Sequence, residues 1–479
     1  MEPVMTLGRM SSLPAADADD PWPEAPVSAQ RDLVAETNRF LASGAWNRPA
    51  LAALLRGMPA AALVVTGQQP AVGGGPLYTL VKAASAIAVA RSLAEVAGGA
   101  APLFWCASED HDLGEAGHAD IITRSGIVQR LHVDLGSGRA ALRHRPASLW
   151  WDALVAHCRR HLGPGPGAAW LESQRPVAEE GMGRWLCRLL EQLFAAYGLR
   201  CIEGHELRPL WHAGLQAALA SWPAQSLEER RTRLLAHGQP DAFGALPEPP
   251  LFADRPAGRM ALSRAEAVGL FAREPDALSP GAALRPVLQQ IALPAAIYVA
   301  GPGELSYHAF IAPLYAALGA VRPRVLPRAS MTLVPNWLTR GLAQWGRSVE
   351  DLGTTPPPLR QKEALGAELA QLKVATTLAE QRAATLGEAM QRRAATGIAH
   401  LRRDLARLEL SLARGEAQAQ ALPPWGALTG YLRPRGVRQE RSMSLFQAIW
   451  EHGPGVVHRL VETASACASG EHRFTALTP

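Results

Sequence analysis

An α/β fold, with a parallel sheet carrying the chemistry and a helical coiled coil attached to it, is what this 479-residue chain predicts. Three observations predict it. Two apolar runs near the start are separated by a glycine turn and a helical stretch; a third run repeats that order two hundred residues later; and a long charged segment shows heptad spacing.

The first run, Ala-Leu-Val-Val at 62–65, is short, apolar and partly β-branched, as suits a strand covered on both faces. It ends in T-G-Q-Q-P at 66–70. Gly73, Gly74 and Gly75 then allow a turn, Pro76 suits a first helical position, and residues 77–95 carry helical spacing. The second run, P-L-F-W-C-A at 102–107, ends in S-E-D-H-D at 108–112. Strand, helix and strand make a crossover unit, which a parallel pair requires. Ligands of open α/β sheets bind beyond the carboxyl ends of strands, where both polar clusters fall.

Further along, residues 129–134 alternate as a strand does, and a Pro/Gly stretch at 163–167 marks a surface connection. Residues 179–197 place Trp185, Leu186, Leu189, Leu190 and Leu193 on one helical side, and 199–202 reads as another strand of the sheet. The segment 223–285 is dense in Pro and Arg and is taken as an insertion beside the site. Residues 295–300, A-A-I-Y-V-A, run into G-P-G-E-L-S-Y at 301–307 and a helix reaching Leu318. There Gly301 and Gly303 permit close backbone approach and the helix amides suit an anion.

After Pro356, Pro357 and Pro358, small or apolar residues recur at 365, 369, 372, 376, 379, 383, 386 and 390, a heptad seam. A second register, 394, 398, 401, 405, 408 and 412, follows two four-residue steps, which predicts a stutter or a hairpin turn. Residues 375–377 are another candidate turn. The expected organisation is a loosely held arm at 1–30, a core at 31–355, a coiled coil at 356–420 and a segment at 421–479 that packs back on the core.

Composition narrows the function. A net charge of +5 without a long basic run gives no reason to expect nucleic acid. Five scattered cysteines without a C-x-x-C pair favour a reducing compartment and argue against structural zinc. No apolar run approaches 18 residues and no signal segment opens the chain, so a soluble cytoplasmic protein is expected. Of 48 Lys and Arg residues only Lys82, Lys362 and Lys373 are lysine. Lys82, two turns into the first crossover helix, therefore reads as a place that needs a compact ammonium. Cys106, between Trp105 and Ala107, reads as a buried strand residue.

The ordered motifs T-G-Q-Q-P at 66–70, G-G-P-L-Y-T at 74–79 with Lys82, S-E-D-H-D at 108–112 with Glu115 and His118, L-S-P at 278–280, R-P-V at 285–287, G-P-G-E at 301–304 with Tyr307, P-R-A-S at 327–330 and Q-E-R at 439–441 carry a resemblance. On them the chain resembles the bacillithiol biosynthesis cysteine-adding enzyme family, described as cysteine ligases. The resemblance implies a Rossmann-like core with connecting insertions, a coiled coil supporting a homodimer, and attachment of cysteine to glucosaminyl-malate. Ala71, Val72, Gly114 and Gly117 depart from the family pattern, and the middle region is shortened.

Amide formation needs an activated carboxylate, a deprotonated amine and a stabilised oxyanion. Asp110, His111 or Asp112 would accept the ammonium proton, and Lys82 completes the catalytic set. Thr66, Gly67, Gln68, Gln69, Gly74, Gly75, Tyr78, Ser108, Glu109, Glu115, His118, Gly301, Gly303, Glu304 and Tyr307 are the substrate-binding candidates. Lys82 with the helix start at Gly75 would suit a carboxylate or phosphate. The spacing of His111, Glu115 and His118 would give one helical face that holds a metal, although acid/base work is the preferred reading. The energy source stays open: ATP or another nucleotide would serve, but no G-x-x-x-x-G-K-[ST] loop is present. Rivals are a nucleotidylyltransferase-like enzyme and a non-catalytic dimeric scaffold, the latter opposed by intact Gln68, Lys82, Asp110 and His111.

The lysine bias yields a prediction. Lys82→Arg should fold and lose most cysteine-adding activity, because a guanidinium keeps the charge but changes size and donor geometry; normal turnover in that variant would remove the argument.

Overall fold

Strand β1 (Ala62–Gln68) is buried from its first residue to Gly67, which explains why its sequence is apolar rather than alternating. Helix α1 (Tyr78–Ala97) crosses over to β2 (Ala100–Cys106), and the strands pair in parallel with Ala62 opposite Ala100 and Gln68 opposite Cys106. The computed structural model describes residues 62–97, 99–350, 363–385, 387–419, 422–467 and 472–477. The expected arm at 1–30, the start of the core near 31 and the prolines at 356–358 lie outside those residues.

Next come β3 (His118–Ile122) and β4 (Val128–His132), an antiparallel hairpin separate from the main sheet. The strand expected at 129–134 is therefore present, paired locally. Helix α2 (Met182–Leu193) leads to β5 (Arg200–Glu203), which joins β2 in parallel. The Pro- and Arg-dense segment expected as an insertion contains an antiparallel sheet of β6 (Leu251–Arg255), β7 (Gly258–Leu262) and β8 (Leu278–Pro280), ordered β7-β6-β8. Then β9 (Ala295–Ala300), helix α3 (Pro302–Phe310) and β10 (Arg324–Pro327) complete a five-stranded parallel sheet in the order β10-β9-β1-β2-β5.

Both faces of this sheet are covered. In β2, Leu103 and Trp105 enter one apolar core with Leu63, Val65 and Trp211, whereas Phe104 and Cys106 enter the other with Leu80, Val81 and Trp185. A continuous apolar run thus still obeys the two-residue alternation of a strand. The order also fixes where a ligand belongs. From β1 the chain moves outward through β2 and β5, then returns to lay β9 on the opposite side of β1. The carboxyl ends of β1 and β9 flank that reversal, the point at which such sheets open a crevice.

Beyond β11 (Ser330–Pro335), helices α4 (Glu363–Ala384) and α5 (Glu388–Ala419) lie against each other, with Lys373 Nζ on Glu409 Oε1 at 2.5 Å and Arg402 on Glu380 Oε2 at 2.5 Å. The chain reverses between them, near Thr385 and Gly387, and not at 375–377. Thr376 and Thr377 do not break α4 because their hydroxyls donate to Lys373 O in the preceding turn, at 2.7 and 3.1 Å.

The last part of the chain returns to the core through α6 (Gln439–Ser442), α7 (Leu445–His452), α8 (Val456–Ala466) and β12 (His472–Leu477), the last pairing with β11. Helix α8 packs on α1. The glycine triplet receives this return. Gly73 and Gly74 have φ of 65° and 82°, a side chain on Gly74 would meet Leu445 Cδ2 at 2.7 Å, Leu77 N donates to Met443 O at 2.7 Å, and Leu445 N donates to Gly75 O at 2.9 Å. Two side chains then secure it. Gln439 accepts from Leu333 N at 2.8 Å and donates to Leu333 O at 3.2 Å and Tyr431 O at 3.1 Å. Glu440 receives Arg328 twice, at 2.8 and 3.0 Å, together with Ser330 Oγ and Met331 N, each at 2.9 Å.

Against the upward push of burial, Arg328 holds the Glu440 carboxyl below the usual range. Its contribution to stability is therefore complete above the unfolded-state value of about 4.3 and disappears as pH falls through the lower folded value. Glu440→Gln should cost about 3–5 kcal/mol in urea unfolding near neutral pH, since it strands Arg328 in the interior. The two stability curves should converge in acid; a constant gap would contradict this assignment.

Candidate active site

At the reversal of strand order, α1 delivers Lys82 into a closed set of acceptors. Its ammonium donates to Gly67 O at 2.6 Å and Gln68 Oε1 at 3.0 Å and pairs with Glu304 Oε2 at 2.5 Å. Three donors meet three acceptors, two on the last residues of β1 and one on α3. Burial brings the ammonium below the usual lysine value despite Glu304. Against the same burial, Lys82, the Gly301 amide and the Tyr298 hydroxyl hold the Glu304 carboxyl below the carboxylate range. Glu304 Oε2 accepts from Gly301 N at 2.6 Å, so the residue also caps α3, while Oε1 accepts from Tyr298 at 2.9 Å and Tyr307 at 3.5 Å. Gly301 is buried against this carboxylate, whereas Gly303 faces open space.

The T-G-Q-Q-P residues divide their work. Thr66 is buried and donates to Val299 O at 2.8 Å, tying β1 to β9. A side chain on Gly67 would stand 2.6 Å from Trp105 O, so glycine is needed for strand packing. Gln68 Nε2 reaches the Tyr78 hydroxyl at 3.2 Å, and burial, ahead of Glu115, pushes that phenol up to about 12. Gln69 Nε2 is buried and meets no acceptor among the described residues. The amides of Gly74, Gly75 and Leu77 all donate to main-chain carbonyls, so the turn expected to cradle an anion is occupied by the chain itself.

The S-E-D-H-D residues form the second half. Ser108 and Glu109 are buried, and Ser108 O accepts from Arg143 N at 2.9 Å. Glu109 is engaged by Arg208, whose Nε lies at 2.8 Å. Asp110 Oδ1 accepts from its neighbours' amides, His111 N at 2.7 Å and Asp112 N at 3.2 Å, which makes the turn at the strand exit. Asp112 caps a single helical turn, Leu113–Ala116, by accepting from Glu115 N at 3.1 Å. That turn is too short for the helical face expected of His111, Glu115 and His118. His118 already begins β3, with Nδ1 3.0 Å from Gly114 O, and among the described residues no group of three His, Cys, Asp or Glu side chains is placed to hold a metal. Cys106, buried, has its thiol pushed well up by burial.

His111 is clamped by two arginines. Arg139 Nη2 lies 2.8 Å from Nε2, and Arg259 Nη1 lies 3.4 Å from Nδ1. A guanidinium only donates, so the 2.8 Å contact has Nε2 presenting its lone pair to Arg139, while Asp110 Oδ1 lies 4.0 Å from Nδ1. Arg259 directs its donor at Nδ1 over the longer distance, and a neutral imidazole has a lone pair for only one of the two arginines. Burial first, then Arg259 and Arg139, lower the imidazole below its ordinary value, so His111 is a neutral acceptor at neutral pH. Arg139 is exposed and free to yield its place.

Between the two halves stands Arg285, whose charge is felt by both Lys82 and Arg259 and whose guanidinium meets no acceptor among the described residues. The sequence reading did not select Arg139, Arg259 or Arg285. Arg285 opens the R-P-V motif, which was a usable signal; Arg259 lies in the insertion and gave none beyond its arginine density.

A family profile described as bacillithiol biosynthesis BshC, N-terminal Rossmann-like domain, matches residues 33–240 and 251–329. The chain is 29% identical to a protein of Koribacter versatilis named "Putative cysteine ligase BshC", over 92% of this chain and 89% of that one. Proteins of the same name from Symbiobacterium thermophilum and Thermus thermophilus are 28% and 32% identical, covering 88% and 56% of this chain and 85% and 56% of theirs. These descriptions do not favour a nucleotidylyltransferase or a scaffold.

Proposed function

The chain belongs to the BshC family of bacillithiol biosynthesis, and from that membership we propose that it is a ligase joining the carboxyl group of L-cysteine to the amine of glucosaminyl-malate. The observation that carries the assignment of roles is the neutral His111 at the exit of β2, with Arg285, whose guanidinium meets no acceptor among the described residues, near Asp110. A deprotonated amine must attack the activated cysteine carboxyl, forming the C–N bond as the bond from the carbonyl carbon to the activating group breaks and that group departs, so the site needs an acceptor for the amine proton that is unprotonated at working pH. His111 meets that need through Nε2 once the amine displaces Arg139. Asp110 sets the turn that presents the ring. The malyl group brings two carboxylates, and Arg285 with the displaced Arg139 supplies matching forks. Gln69 Nε2 is a spare donor for the tetrahedral oxyanion at the β1 exit. Lys82, with its donors already engaged, organises this edge rather than gripping substrate.

In the same reading the protein works in the cytoplasm as a homodimer joined through a coiled coil. The helical hairpin buries Leu369, Thr376, Ala383 and Ile398, but Leu372, Met390, Leu401 and Leu408 of the heptad seam remain 50%, 50%, 54% and 46% exposed. Half-exposed seam positions favour a second copy as the missing surface.

Asp110→Asn and His111→Ala should leave the fold intact and lower cysteine addition by about 10² or more, with substrate binding less affected. Near-normal rates in both would remove this pair from the mechanism. In cells, deletion of the gene should accumulate glucosaminyl-malate and abolish bacillithiol; an unchanged thiol pool would count against the ligase. Removing residues 357–415 should halve the mass seen by light scattering, and an unchanged mass would mean that the hairpin closes on itself.

A further inference from the structure

The insertion holds a carboxylate that the roles assigned above do not use. Asp254 stands opposite Arg259 in the β6–β7 register, so the two side chains share one face of the hairpin. The carboxylate is sealed from solvent. Its Oδ2 accepts from Arg143 Nη2 at 2.8 Å and from Arg208 Nη2 at 2.5 Å. Arg208 Nε in turn donates to Glu109 Oε1 at 2.8 Å, and Glu109 immediately precedes Asp110 and His111. One chain of alternating charges thus runs from the insertion to the exit of β2.

Arg259 is held just as firmly. Its guanidinium lies 4.0 Å from the centre of the Phe252 ring and donates to Ser279 Oγ at 3.2 Å and Pro280 O at 2.6 Å, which leaves Nη1 against His111. Its main-chain amide donates to Arg139 O at 2.8 Å, so the hairpin also fixes the second arginine of the clamp. Buried ion pairs stabilise little compared with apolar packing of the same volume, but they impose one geometry. Here the geometry imposed is that of the imidazole's surroundings.

We infer that Asp254 is a positioning residue for His111: by binding Arg208 and Arg143 it seats the β6–β7 hairpin, and the seated hairpin places Arg259 and Arg139 on the two ring nitrogens. The inference rests on the role given to His111 above, but it can be tested apart from it. The charged groups facing the ring are Arg259 and Arg139 from the insertion side and Asp110 and Asp112 from its own turn. Loss of the two cations leaves the two carboxylates dominant, so the ring should then titrate at higher pH.

The test is histidine NMR of the full chain across pH, with the His111 signal identified by its loss in His111→Asn. Arg259→Gln, which leaves the Asp254 contacts in place, should move the titration to higher pH. Asp254→Asn should move it the same way, Asp254→Glu should return it toward wild type, and Asp254→Asn should lower kcat by about tenfold or more with KM for cysteine changed less. A folded Asp254→Asn protein whose His111 titrates as in wild type overturns the proposal. Should that variant fail to fold, Arg143→Gln removes one partner from the more exposed side and carries the same expectation, with an unmoved titration equally decisive against it. If wild type adds no cysteine at all, the ligase reading fails while the titration comparison still decides the positioning role.

Discussion

A lysine ammonium cannot be taken out of water alone, and the edge of this sheet is arranged around that constraint. Stranding one buried charge costs several kcal/mol, more than any single packing contact at the site returns. Lys82 is therefore surrounded: a carbonyl of β1, the glutamine that ends β1 and a glutamate from the far side of the strand-order reversal. Satisfying the charge forces β1 and α3 into one relative position, and Glu304 does so while also capping its own helix. An arginine has five donors in a rigid fork and would leave some unmet in the same space, which accounts for a lysine in a chain so rich in arginine.

The same logic recurs in the second half of the site with the signs exchanged. Glu109 and Asp254 are buried carboxylates, and arginines close the balance. The two halves differ in what remains over. Around Lys82 every donor is used, whereas in the second half Arg139 is exposed and the Arg285 guanidinium, near Asp110, meets no acceptor among the described residues.

How much of this was legible in the sequence follows from the range of the interactions. The strands at 62–68, 100–106 and 295–300, the crossover helix and the polar strand exits are set by local patterns, so they could be read directly. The glycine triplet was recognised as a turn, but its partner, Met443 to Leu445, lies some 370 residues away, and no local signal connects them. The helical face drawn through His111, Glu115 and His118 failed because Asp112 caps a helix that ends after one turn and β3 begins at once. Periodicity cannot see a strand waiting two residues downstream. The insertion was opaque because its strands are short, its arginines resemble solvated surface, and their meaning lies in carboxylates of distant segments.

The docking of the chain's return onto the glycine turn also sets an order of assembly. Residues 62–118 leave the ribosome early with both strand exits in place, yet the carbonyl of Gly75 and the amide of Leu77 lack these partners until Met443 and Leu445 have been made. At about 5–20 residues per second the nascent sheet waits tens of seconds with α1 lacking α8 above it, an interval in which apolar surface is open to wrong partners. A segment made early therefore completes its main-chain hydrogen bonds only with residues made hundreds of positions later.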